Sequence, residues 1–116
     1  MDSVRTYLMR TIDRYQDDVM ALIMDDSGCY QSDVAVNMIF RMEIREYRNM
    51  ELFVARHLRS LCRVKCISKE SAKALRLEML DYLSDCRSGL YIHLARYAVH
   101  HALGSILFQY TVGLAL

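Results

Sequence analysis

Cys62 and Cys66 stand four residues apart, a spacing that on a helix puts both thiols on one side. There His57 or the His100–His101 pair could complete a zinc site. No second cysteine pair and no histidine pair at finger spacing accompanies them, so reduced thiols are the plainer expectation. No metal and no cofactor are expected. His93 and His100 share a helical face at a seven-residue step and read as satisfied core or interface histidines. Glu43, Glu46 and Glu51 have the look of paired carboxylates, but they lie among Arg41, Arg45, Arg48, Arg56, Arg59, Arg63 and Lys65, where ion pairing is the simpler reading. There is no Gly-rich phosphate loop, no serine elbow and no cysteine set beside a histidine motif. The chain is therefore not expected to be an enzyme.

The arginines carry a different chemistry. Arg41, Arg45, Arg48, Arg56, Arg59 and Arg63 recur at helical steps that can align on one face, and such a stripe contacts phosphates. The opposing features are a formal net charge of +1 and the lack of helix-turn-helix turn chemistry. Up to Asp33 the acids dominate (Asp2, Asp13, Asp17, Asp18, Asp25, Asp26 and Asp33 against Arg5, Arg10 and Arg14), which balances the basic middle. A solvated helix face is the plain reading of the stripe. A small helical regulatory or nucleic-acid-binding protein using Arg41–Lys65 is the alternative function, with nucleic acid not the expected partner.

The elements that must position these residues are helical. The 116 residues hold no Pro and four Gly, with 53% hydrophobic and 25% charged residues, which fits one globular all-α domain over 1–116. Asp2, Arg5 and Arg10 interrupt any apolar leader. Ser3 can cap a first helix with Val4, Leu8, Ile12, Tyr15, Val19 and Leu22 on one face, ended by Asp25–Gly28. Ser32 or Asp33 can cap a second, with Val36, Ile39, Phe40 and Ile44 inward, which either runs on or bends near Asn49. Leu52, Ala55, Leu58, Leu61 and Cys62 form a further stripe, and residues 63–67 read as a connection. Ser68 caps the next helix, in which Ala72, Leu75, Met79, Tyr82 and Leu83 face inward. Ser84-Asp85-Cys86-Arg87-Ser88-Gly89 reads as a tight polar turn into a helix apolar nearly all round, Leu90 to Leu103. Gly104-Ser105 either breaks or only softens this helix, and a short sixth helix is expected over 106–116. Tyr97 to Leu116 holds no Asp, Glu, Lys or Arg, which makes it a buried core hairpin or a membrane-associating segment.

Three stretches together are similar to the Bcl (B-cell lymphoma two) regulators of apoptosis, especially divergent viral members. Ile67-Ser68-Lys69-Glu70-Ser71-Ala72, continuing to Leu83-Ser84-Asp85-Cys86, resembles the family's fourth helix and the acidic turn after it. Arg87-Ser88-Gly89-Leu90-Tyr91-Ile92 resembles the first homology motif and the central helix. Ile44-Arg45-Glu46-Tyr47-Arg48-Asn49, then Met50-Glu51-Leu52-Phe53, resembles the third motif. The family's Asn-Trp-Gly-Arg signature is replaced by Ser88-Gly89-Leu90-Tyr91, so its arginine position falls on Tyr91, and a ligand aspartate would meet Arg87 or Arg96 or go unpaired.

The resemblance implies a Bcl-like bundle of five to six helices around a central apolar helix. It implies an inhibitor of apoptosis that sequesters death-motif helices of pro-apoptotic proteins, such as Bim, Bak and Bax, in a hydrophobic groove. The groove would be lined by Tyr47, Met50, Phe53, Val54, His57, Leu58, Leu75, Met79, Leu83, Arg87, Tyr91 and Leu94. The cytoplasm is the expected location, with the mitochondrial outer membrane of a host cell as a second address through the C-terminal apolar segment. An apolar strip left open on the core helix would be covered by a second copy in a homodimer.

Overall fold

The computed structural model describes residues 2–24 and 36–115, with side chains described for 2–24, 38–100 and Ala102. The described residues form three helices: α1 (Asp2–Ile23), α2 (Val36–Arg63) and α3 (Lys69–Ala115). The described residues build an all-α fold, as the scarcity of breakers predicts. At 1.5 Å per residue, α3 is about 70 Å long. It therefore accounts for the long axis of a molecule measuring 72 × 23 × 17 Å.

The expected helices fuse. The second and third join in α2 without a break at Asn49, and the fourth to sixth join in α3. The polar turn at Ser84–Gly89 is helix, and the helix runs on through Gly104-Ser105. The reason is a continuous apolar stripe. Leu75, Met79, Leu83, Cys86, Leu90, Leu94 and Tyr97 are all buried, at steps of four and three that cross the polar residues without losing phase. Ser88 helps by donating its hydroxyl to the Ser84 carbonyl at 3.1 Å. Local turn chemistry lost to the periodicity around it.

One consequence corrects the expected centre. Leu90–Leu103 is not a rod wrapped on every side. Leu90, Leu94 and Tyr97 are buried, whereas Tyr91, Ile92 and Val99 are exposed, so this part of α3 is one wall of the bundle. The side chain of Leu103 lies outside the described residues, as do the expected end of the first helix at Asp25–Gly28 and the Ser32 or Asp33 cap.

α1 buries Leu8, Ile12, Tyr15, Val19 and Ile23, very nearly the face its sequence marks out. α2 sits differently from expectation. Ile39, Glu43, Val54 and Leu58 are its buried residues, while Ile44 and Leu52 are about half exposed. The core has two clusters. In the larger, Leu8, Ile12, Tyr15 and Val19 pack with Val54, Leu58, Leu75, Met79, Leu83, Cys86 and Leu90. In the smaller, Ile23, Ile39, Leu94 and Tyr97 meet.

The link between α2 and α3 is built as a Schellman end followed by a cap. Lys65 takes the left-handed conformation (φ 60°), Cys66 N–H donates to Leu61 O at 2.9 Å, and Lys65 N–H donates to Cys62 O at 3.1 Å. Ser68 then caps α3 as its sequence predicts. Its hydroxyl accepts from Ser71 N–H at 3.1 Å, and its carbonyl takes the first helical bond from Ala72 N–H at 2.9 Å.

Candidate functional site

The twelve expected groove residues do not line an open groove. Val54, Leu58, Leu75, Met79, Leu83 and Leu94 are fully buried between the chain's own helices. Tyr47, Met50 and Phe53 are half-buried against the same cluster. α1 lies where a ligand helix was expected, presenting Leu8, Ile12, Tyr15 and Val19 at steps of four, three and four. His57 stacks on Phe53 at 5.7 Å with the rings 13° from parallel. Arg87 and Tyr91 are held in a polar cluster that sequence reasoning missed.

That cluster is built around Glu43. Its side chain is fully buried on the inward stripe of α2, four residues from both Ile39 and Tyr47. Arg87 grips both of its oxygens, through Nε to Oε1 at 2.8 Å and Nη2 to Oε2 at 3.2 Å. Tyr15 donates its hydroxyl to Oε1 at 2.7 Å and Tyr91 donates to Oε2 at 3.3 Å. The guanidinium also lies 4.0 Å from the Tyr47 ring centre and 5.1 Å from that of Tyr91. All three helices therefore converge on one carboxylate.

The electrostatics follow from this packing. Burial, then the hydrogen bond and charge of Glu43, push the Tyr15 phenol well above its usual value. Tyr91 is raised for the same reasons, burial first. Burial pulls the Arg87 guanidinium down, but the Glu43 hydrogen bond and charge and the neighbouring tyrosines leave it above its usual value. These shifts favour neutral phenols and a charged guanidinium, an arrangement that holds an ion pair and offers no proton to exchange near neutral pH. The signal for it was an acid sitting in the apolar phase of a helix. Its partner lies 44 residues away, so the pairing itself has no local signature.

The other candidate chemistries stay apart. Cys62, Cys66 and Cys86 are free, and the Cys62 thiol donates to Ser68 O at 3.8 Å. Among the described residues no three His, Cys, Asp or Glu side chains gather as a metal site. Burial and the Asp13 charge raise the Cys86 thiol, which suits an inert thiol rather than a nucleophile. Tyr82 beside it donates to Asp13, and that bond, with burial, raises the phenol. His93 is half-buried in α3 with Nδ1 lacking a hydrogen-bond partner.

The outward face of α2 is the remaining site. Arg41, Arg45, Arg48, Arg56, Arg59 and Arg63 are all exposed. At ~100° per residue they fall within about 80° of the helix circumference, and at 1.5 Å per residue they run for about 33 Å. Leu52 sits in the same row. Arg45 is the one member that makes an ion pair among the described residues, with Glu46 at 3.4 Å, and both side chains are solvated. Beside the row, Asn49, Leu52, Phe53, Arg56, His57 and Ser60 line a depression of about 350 Å³. Tyr7 of α1 leans on its aromatic edge, 5.1 Å from His57 and 6.1 Å from Phe53 between ring centres.

Comparison with known proteins leaves the chain by itself: no family model, no curated protein and no solved structure matches it. No described helix is long and apolar enough to cross a membrane.

Proposed function

We propose that this chain is a non-catalytic nucleic-acid-binding protein that lays the arginine face of α2 along a phosphate backbone. The observation that carries the reading is the row of six exposed arginines, of which one makes an ion pair among the described residues. Guanidinium groups stay charged at any working pH and fork onto phosphate oxygens. Binding releases condensed counterions, which makes a near-continuous row effective even on a protein of low net charge. The charge balance that argued against nucleic acid is spatially sorted. Glu43 is consumed inside by Arg87, and Glu78 is engaged by Arg5 at 2.9 Å on another face.

The test is fluorescence anisotropy with labelled oligonucleotides between roughly 50 and 200 mM salt. Six phosphate contacts on a single strand give a slope of log K against log salt of about −4. The triple variant Arg48→Glu, Arg56→Glu, Arg59→Glu is expected to lose at least a hundredfold in affinity while melting normally. Absence of binding at the low-salt end removes the proposal.

Helix capture is the second reading, favoured by the gathering of the expected groove residues along the α2–α3 contact. It carries with it the finer Bcl-like arrangement, in which α2 parts near Asn49 and α3 parts at Ser84–Gly89 so that five to six helices surround Leu90–Leu103. It also carries an anti-apoptotic role. It requires α1 to leave its seat, at roughly 1.5–3 kcal/mol for each of its large buried side chains. Calorimetric heat from death-motif peptides, with α1 becoming protease-sensitive on binding, would raise it above the first reading.

A further inference from the structure

We infer that the depression on α2 beside the arginine row receives an unpaired nucleobase, so that the ligand is single-stranded. The inference rests on the nucleic-acid reading and adds the strandedness of the ligand and the contact that selects it. Backbone phosphates explain arginines, but they do not explain what stands among them. Leu52 occupies the middle of the charged row and is 48% exposed. Next to it the rings of Phe53 and His57 lie nearly parallel, with Tyr7 tilted against both from α1. A flat aromatic edge and an apolar floor beside a charged row are the parts of a single-strand platform, in which bases stack on rings while cations track the backbone.

The polar members suit successive nucleotides of one strand, since Asn49 and Ser60 stand about 16 Å apart along the helix and no single base reaches both. Asn49 brings an amide with both donors and an acceptor, and Ser60 a hydroxyl, at opposite ends of the depression along the helix. Arg56 lines the depression and belongs to the arginine row, so a nucleotide seated there has its phosphate and its base served by one contiguous surface. The volume, about 350 Å³, lies in the lower part of the range for small-molecule sites. A base inside a duplex has its faces covered by its neighbours and cannot offer one to Phe53 or His57. A strand with splayed bases can.

The experiment compares a thymidine oligomer about ten nucleotides long, matched to the row at ~3.4 Å per step, with its duplex form at the same salt. Single strand is expected to bind at least tenfold more tightly. His57→Ala is expected to cost the single strand roughly tenfold, from loss of one stacking surface, while leaving both duplex affinity and salt slope unchanged. Because Phe53 also touches the core, it is probed by a conservative change. The chain has no Trp and eight Tyr, so Phe53→Trp places a single tryptophan in the depression, excited at wavelengths where tyrosine does not absorb, and its emission is expected to quench on adding the thymidine oligomer. Inorganic polyphosphate, which meets the arginines and has no base, is expected to leave the emission unchanged.

Equal affinity for strand and duplex, or equal quenching by polyphosphate, overturns the inference and leaves the phosphate-binding reading in place. Failure of strand, duplex and polyphosphate alike to bind overturns both.

Discussion

The inward and outward faces of α2 both carry charge, and they treat it in opposite ways. Inside, a single carboxylate, Glu43, is surrounded by Arg87, Tyr15 and Tyr91, with every contact supplied by another helix. Outside, six guanidinium groups lie in a row, and among the described residues only Arg45 makes an ion pair, with Glu46. A buried ion is costly to desolvate, and it is tolerated only where its partners are fixed in place. Such a cluster sets how helices register against one another. A row of solvated ions costs the fold almost nothing and gains it almost nothing. The fold does not depend on the outer row, which leaves that face to the proposed partner, whereas the inner cluster is bound up with the packing.

The contrast breaks most sharply at Arg87. Replacing it with Leu strands Glu43 in the core and is expected to cost about 3 kcal/mol, the low end for an orphaned buried ion because Arg87 keeps some solvent access. Urea denaturation measures the loss. The double variant Glu43→Leu, Arg87→Leu should recover most of it, since apolar pairs can replace buried ion pairs without penalty. By contrast, alanine at Arg48, Arg56 or Arg59 should shift stability by less than ~0.5 kcal/mol each, however strongly it affects binding. A large stability loss at any of the three would erase the distinction between the faces.

Alkali tests the inner face by another route. Tyr15, Tyr82 and Tyr91 have phenol values raised above the ordinary 10.0 in the folded protein. The folded state therefore holds their protons more tightly than the unfolded chain does. Their contribution to stability is complete below pH 10 and declines as pH climbs from there toward the folded values. Denaturation midpoints are expected to fall above pH 10, and Tyr15→Phe, though less stable at neutral pH, should show a shallower fall. The smallest effect concerns the fused helix. A methyl group at Gly89 would meet no atom within 4 Å, and Gly in a helix interior gives up about 0.5–1 kcal/mol relative to Ala. Gly89→Ala should raise the melting temperature by a few degrees. A drop would show that residues 84–89 need to bend.

Much of this was legible beforehand and some was not, for definite reasons. The α1 face and the Ser68 cap were legible because each depends on residues within one or two turns. The alignment of the arginines was legible from their spacing. That only Arg45 among them forms an ion pair within the described residues was not, since this depends on where acids from other segments end up. Of the two readings open at Asn49 the continuous helix is the one found, whereas Ser84–Gly89 misled as a break because local turn preference was weighed against one helix at a time, and the Leu83–Cys86–Leu90 stripe is a property of the whole of α3. Ile44 and Leu52 were read as inward because they are apolar, yet the helix phase is set by Ile39, Val54 and Leu58 with Glu43 among them. Eight of the twelve expected groove residues gather in the larger cluster, packed against α1, whereas Leu94 lies in the smaller one and Arg87 and Tyr91 at Glu43.

The five-residue Schellman-and-cap link between α2 and α3 also orders the events of folding. Closing so short a loop costs little entropy, so the two helices find each other quickly, bringing Arg87 onto Glu43 within a hairpin. α1 is tethered through a longer connection and arrives on a surface already formed. Tyr15 is then the final bolt, and unfolding should begin with its withdrawal.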